Sequence, residues 1–240
     1  MSQVNIVAVA FCPHPPLLVP AVSAGEPVAV RAPALAAVRW LCSRAPERIV
    51  VLGAGAQAGV FEPGAAGSFA GYGVNYSVRL PGGPAVSGHP LPLSLSVGAW
   101  LLEEVGCQAA ALGLACDPDG GVPPWPDGFA AAPAGVGLLV MGDGSARRTE
   151  KAPGWLDERA SGYDAGVSAA LAAGDPALLG RASDLPRGAE LLAAGAPAWC
   201  AASSLLASRQ WSAGVSYDDA PYGVGYLVAT WSSRDPDSTG

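Results

Sequence analysis

A chain of 240 residues that is 50% hydrophobic and only 14% charged can bury a large core, which excludes wholesale disorder. The formal charge is −7, Lys151 is the single lysine, and no basic stripe is present. That pattern excludes the counterion-releasing surface that nucleic acids select, and it disfavours an anionic membrane surface.

In chain order, Asn5 to Phe11 forms a near-continuous apolar run and is predicted as a buried strand. It stops at Cys12-Pro13-His14-Pro15-Pro16, where the prolines enforce an extended loop. A helix is predicted from Pro27 to Ser43, with Val30, Ala34, Val38 and Leu41 on one face and Arg31 and Arg39 left for solvent. Arg48 to Leu52 reads as a second strand, covered on both faces, and is followed by a Gly-rich loop from Gly53 to Gly67. Asn75 to Leu80 alternates like a more exposed strand, and Pro92 to Val105 suits a helix. Ala109 to Ala115 and Val136 to Met141 are further apolar strands, separated by a Pro/Trp loop.

Beyond Gly142 the pattern turns helical, with Ser161 to Ala173 ending at Gly174 and two or three short helices within Pro176 to Ala207. Two strands close the chain, Trp211 to Tyr217 and Gly223 to Trp231, joined by Asp218-Asp219-Ala220-Pro221. The expectation is one α/β domain over residues 1–231, with a mixed, mostly parallel sheet and helices on both faces. Residues 232–240 are expected to be a polar, frayed tail. In such sheets function collects beyond the carboxyl ends of the strands, which here points to the loops around His14, Gln57, Ser145 and Asp218.

The five cysteines, Cys12, Cys42, Cys107, Cys116 and Cys200, are odd in number and contain no Cys-x-x-Cys pair. Neither a disulfide scaffold nor a structural zinc site is expected, and reduced thiols in a cytoplasmic protein are. The first positive side chain is Arg31, so no basic signal-peptide region is expected, and the uncharged stretch Leu80 to Leu102 carries four prolines that a spanning helix would not tolerate.

Few residues can carry chemistry. His14, one of two histidines, is held in a stiff loop and suits a metal ligand; otherwise it bonds its own loop's backbone. Gly53-Ala54-Gly55-Ala56-Gln57-Ala58-Gly59 follows a strand as a dinucleotide loop would, but Pro63 and Gly64 interrupt the helix that should follow. Gly142-Asp143-Gly144-Ser145-Ala146-Arg147-Arg148 can present N–H groups and guanidinium groups to an anion, or be a tight turn with solvated arginines. Asp218 and Asp219 offer hard oxygen ligands or simply a turn, and His89 lies in a Gly-His-Pro loop with a structural role the default.

Together, Ala10-Phe11-Cys12-Pro13-His14-Pro15-Pro16-Leu17-Leu18-Val19-Pro20, Ile49-Val50-Val51-Leu52, Leu91-Pro92-Leu93-Ser94-Leu95, Val140-Met141-Gly142-Asp143-Gly144-Ser145 and Pro221-Tyr222-Gly223-Val224-Gly225-Tyr226 resemble the class III extradiol dioxygenase B-subunit family, with its LigB-like and Memo-like relatives. The resemblance implies a LigB-like α/β fold and a non-haem Fe(II), or another divalent metal, held by two histidines and a glutamate. His14 stands at the first histidine. Gln57 or a near neighbour stands where the second belongs, and only Asp218 and Asp219 stand where the glutamate belongs. Ser145 is followed by Ala146 and Arg147 where the family has its acid/base histidine.

What the resemblance implies is therefore an oxidoreductase-like protein for an aromatic or phenolic compound, with an incomplete iron site. His14, Asp218 and Asp219 are its metal candidates. Gln57, Ser145, Arg147 and Arg148 would meet the substrate, and His89 and Asp143 are the remaining acid/base candidates. The alternative is a non-catalytic binding or interaction protein that has lost the metal. A homo-oligomer is left open, and a nucleotide enzyme built on the Gly53 loop is the third reading.

Overall fold

The structure is a computed structural model that describes residues 4–86, 88–126, 128–129 and 132–234. The continuous apolar runs become strands β1 (Ile6–Cys12), β2 (Arg48–Ala54), β6 (Ala110–Cys116) and β7 (Val136–Met141). Around them lie the short strands β3 (Gly59–Phe61), β4 (Ala66–Ser68) and β5 (Ser77–Arg79) and the C-terminal pair β8 (Trp211–Asp219) and β9 (Tyr226–Ser233). The helices are α1 (Arg31–Ser43), α2 (Leu93–Glu104), α3 (Arg159–Ala173), α4 (Pro176–Ala182), α5 (Leu185–Glu190) and α6 (Ala196–Leu206).

Seven strands form one mixed sheet in the order β3-β6-β2-β7-β1-β9-β8. The middle four run parallel, while β3 on one side and the β9–β8 hairpin on the other run antiparallel to their neighbours. β4 and β5 make a separate two-stranded ribbon.

The central strands are apolar at successive positions because both faces are covered. Val9, Phe11, Val50, Leu52, Leu138 and Val140 face one core with α3, α4 and α6. Ala8, Ala10, Ile49, Val51, Leu139 and Met141 face the other with α1 and α2. Helix α2 lies very close to the sheet, since a Cβ at Gly98 would stand 2.5 Å from Val51 Cγ1. Among the described residues no helix is long and apolar enough to cross a membrane.

Four expectations are corrected. Helix α1 starts at Arg31 rather than Pro27, and Arg31 is not left to solvent. Its guanidinium donates to the carbonyls of Leu18 (2.7 Å) and Leu17 (3.0 Å) and to Ser23 Oγ (2.7 Å), tying the proline-rich loop to the helix. Within the Gly-rich stretch the chain forms β3 and β4 rather than plain loop. Asp218 and Asp219 belong to the end of β8, not to a loop. The tail begins later than expected, since β9 runs to Ser233; residues 235–240 lie outside the described residues.

One side of the sheet is anchored by aromatics. Trp231 packs at 5.0 Å from Phe11 and 6.1 Å from Trp211 between ring centroids, and its indole N–H donates to the Leu171 carbonyl at 2.7 Å. Trp231→Phe keeps most of the packing but removes the shorter of two donors to the Leu171 carbonyl, the other being the Gly174 N–H at 3.4 Å. It is expected to lower the unfolding free energy in urea by about 0.5–1.5 kcal/mol; a value indistinguishable from wild type would show that this hydrogen bond contributes nothing.

Candidate functional site

The parallel arrangement sends the ends of β1, β2 and β7 to one edge of the sheet, and the β8–β9 connection reaches the same edge because two antiparallel steps separate β8 from β1. His14 follows β1 there and is buried, with 6% of its surface exposed. Its backbone N–H donates to Asp143 Oδ1 at 2.7 Å, and its Nδ1 lies 3.7 Å from the same oxygen without a hydrogen-bond partner. Burial pushes the Asp143 carboxyl above the ordinary carboxylate range, while His14 pulls it down. The Gly142 N–H donates to the Cys12 carbonyl at 2.9 Å, and the Gly195 N–H to the Asp143 carbonyl at 2.7 Å. Asp143 therefore stitches the loop after β7 to the loop after β1.

Next to it lies a fully buried carboxylate that the sequence did not single out. Asp164 of α3 accepts the Ser145 N–H at 2.8 Å on one oxygen and the Arg148 guanidinium at 2.8 Å on the other. The two family-like segments, Val140–Ser145 and Pro221–Tyr226, interlock above it: the Gly144 N–H donates to the Gly225 carbonyl at 2.7 Å, and the Gly225 N–H donates to the Ser145 carbonyl at 3.0 Å. A Cβ at Gly225 would stand 2.1 Å from Asp164 Oδ2, so only glycine lets the carboxylate in. Desolvation raises the Asp164 carboxyl, and the Ser145 N–H and Arg148 oppose the rise.

Two of the residues offered for substrate, Ser145 and Arg148, are engaged within the fold, and Arg147 is not. Ser145 is fully buried and its hydroxyl donates to the Leu191 carbonyl at 2.7 Å. Arg148 is paired with Asp164. Arg147 is half-buried, its Nε shielded and without a hydrogen-bond partner. Ser145 and Arg148 thus hold the fold together at this segment.

The proposed metal ligands do not assemble. Asp218 accepts the Ser168 hydroxyl of α3, and Asp219 accepts the neighbouring Ala220 N–H at 2.7 Å. Strand β9 separates both from β1, which His14 follows. Among the described residues no three His, Cys, Asp or Glu side chains gather closely enough to hold a metal ion. The unpartnered His14 Nδ1 supplies one imidazole, but the donor set for a two-histidine, one-carboxylate iron centre does not fit.

Gln57 and His89 do come together. They line a cavity of about 490 Å³ at the end of β2, with Val60, Phe61, Glu62 and Pro92 among its walls. The turn from β2 into β3 carries Gln57, and α2 is fixed beside it by the Ser94 hydroxyl, which donates to the Ala54 carbonyl at 2.7 Å. The walls are mostly alanine, proline, valine and Phe61, with the amide, carboxylate and imidazole as the polar groups. A volume in this range takes a small organic ligand. Sequence reasoning missed Glu62, because nothing local marks an exposed glutamate beside a short edge strand.

The class defined by these features is a single mixed α/β domain with a cavity at the carboxyl edge of its parallel strands. Neither a family model nor a curated protein sequence matches the chain. Among solved structures, the crystal structure of an uncharacterised protein from Escherichia coli K12 is similar, with a TM-score of 0.52 and 12% identity over 94% of this chain and 99% of that one. At that identity the likeness shows the fold alone.

Proposed function

We propose that this chain is a small-molecule binding protein on an extradiol-dioxygenase-like scaffold, and that it takes an aromatic or phenolic ligand in the β2-edge cavity without the family's iron chemistry. The observation that carries this reading is the convergence of Gln57, Glu62 and His89 on one largely apolar cavity. Aromatic surface suits the Phe61 and proline walls. The three polar side chains can orient a hydroxyl by donating to it or accepting from it. The segments quoted above support the family resemblance; the scattered His14, Asp218 and Asp219 support the loss of the metal. A reducing, cytoplasmic location agrees with five free thiols.

The test is a thermal-shift panel of phenols and heteroaromatic acids without added metal. A ligand of the cavity raises Tm with concentration, reaching about 2.7 kcal/mol of added stability at a hundred times its Kd. Ala58→Trp, which fills the cavity, is expected to abolish the shift, and His89→Ala to weaken it. A shift unchanged in Ala58→Trp would place the ligand elsewhere and overturn the reading.

A further inference from the structure

The walls of the β2-edge cavity change polarity with depth. Ala65 and Ala115 are buried and Phe61 is half-buried, whereas Gln57, Glu62 and His89 are exposed. The apolar groups therefore form the floor and the polar groups the rim. A ligand that matches this gradient puts its ring inside and leaves its polar end at the rim.

The rim carries fixed charge of one sign. Glu62 brings a carboxylate, and no arginine or lysine lines the cavity, although Lys151 and every arginine belong to the described residues. Among those residues Glu62 takes part in no ion pair. Arg79, which reaches the neighbouring ribbon, donates to the Gly64 carbonyl at 3.3 Å and lines a separate cavity with Glu103. The net charge of −7 acts in the same direction as Glu62. One feature opposes it. Helix α2 begins beside the cavity, where Pro92 is both its N-cap and part of the wall. A helix N-terminus is equivalent to about half a positive charge, less than the full charge of a carboxylate. The residues of its first turn, Leu93 to Leu95, also do not line the cavity. The carboxylate sets the sign.

We infer that the cavity selects a cationic aromatic, a phenol or heteroarene bearing a protonated amine, and discriminates against the corresponding carboxylate. This rests on the metal-free aromatic binding proposed above and names the ligand class for that site. The ring fills the space against Phe61, Ala65 and Ala115, and the ammonium group meets Glu62 at the rim. Gln57 and His89 remain for a neutral polar group such as a hydroxyl. An ion pair at an exposed rim is worth a few-fold in affinity, and repulsion of an anion costs about as much. The spread between the two ligands is therefore about tenfold.

The experiment uses the full chain without metal and three phenols that share one ring: tyramine, 4-ethylphenol and 4-hydroxyphenylacetate. The Kd of each is taken from thermal shifts over a range of concentrations. At pH 8 the amine and the carboxylate are both charged. Tyramine is expected to bind most tightly and 4-hydroxyphenylacetate about tenfold more weakly. In Glu62→Gln, which keeps the shape and removes the charge, the ratio of the two should fall to within about twofold of one. In His89→Ala the ratio should persist, because the discrimination comes from Glu62. Salt at 0.5 M should shrink it in wild type. A carboxylate that binds as tightly as tyramine, or a preference that survives Glu62→Gln, overturns the inference and leaves metal-free phenol binding standing. If none of the three phenols binds, the reading of the cavity falls and the inference with it.

Discussion

Asp164→Ala is expected to cost about 3–5 kcal/mol of stability, the range for leaving a buried ionic partner unpaired. The carboxylate is 1% exposed and accepts from two groups: the Ser145 N–H, itself fully buried, and the Arg148 guanidinium, whose side chain is 24% exposed. The loss does not measure the worth of the ion pair, because desolvation already works against the charge. It measures what the orphaned donors cost once their acceptor is gone. Asp164→Asn keeps one oxygen for the Ser145 N–H and should fall between the two. Urea unfolding followed by tryptophan fluorescence reads the difference. An alanine variant within about 1 kcal/mol of wild type would mean that this junction is not what holds the two family-like segments together.

Ring cleavage of simple catechols is expected to be absent even after anaerobic loading with Fe(II). Extradiol chemistry needs a base for the catechol proton, and a positioned acid/base group contributes 10²–10⁴-fold, or roughly 3–5 kcal/mol. Ala146 cannot take a proton, and an arginine side chain is not a general base. Asp143 is mostly shielded, with 13% of its side chain exposed, and is engaged by the His14 N–H. His89 is the remaining imidazole, and it lines the cavity with Gln57 rather than adjoining His14 and Asp143. The assay follows the yellow ring-opened product of protocatechuate and simple catechols under O₂. Turnover near 1 s⁻¹ or faster, within the usual enzyme range, would show the opposite. Its loss in His89→Ala but not in Gln57→Ala would then identify the base.

The parallel core was legible because strands covered on both faces carry unbroken apolar runs, as in Val50–Leu52 and Leu138–Met141, and because α3 carries its stop signal at Gly174. The site was legible only in part. Gln57 and His89 stood out as polar residues in loops, yet they are 32 positions apart, and it is the turn into β3 and the placement of α2 that set them around one cavity. Asp164 was invisible, since a single aspartate in a helix reads as a solvated residue until the glycines at 144 and 225 are seen to make room for it. Arg31 misled for the converse reason: an arginine opening an amphipathic helix ordinarily faces water, and here its fork fits the carbonyls at the end of the proline loop. Asp218 and Asp219 stand at the expected edge of the sheet, but the strand alternation that sends Asp218 toward Ser168 cannot be read without knowing that the strand continues to Asp219.

The most direct test of metal-free binding is anaerobic equilibrium dialysis of the full chain against Fe(II), with iron counted per chain in wild type and His14→Ala. The expected result is far less than one iron per chain in both, beside an aromatic ligand that still stabilises the metal-free wild type. One iron per chain, lost in His14→Ala, would contradict it.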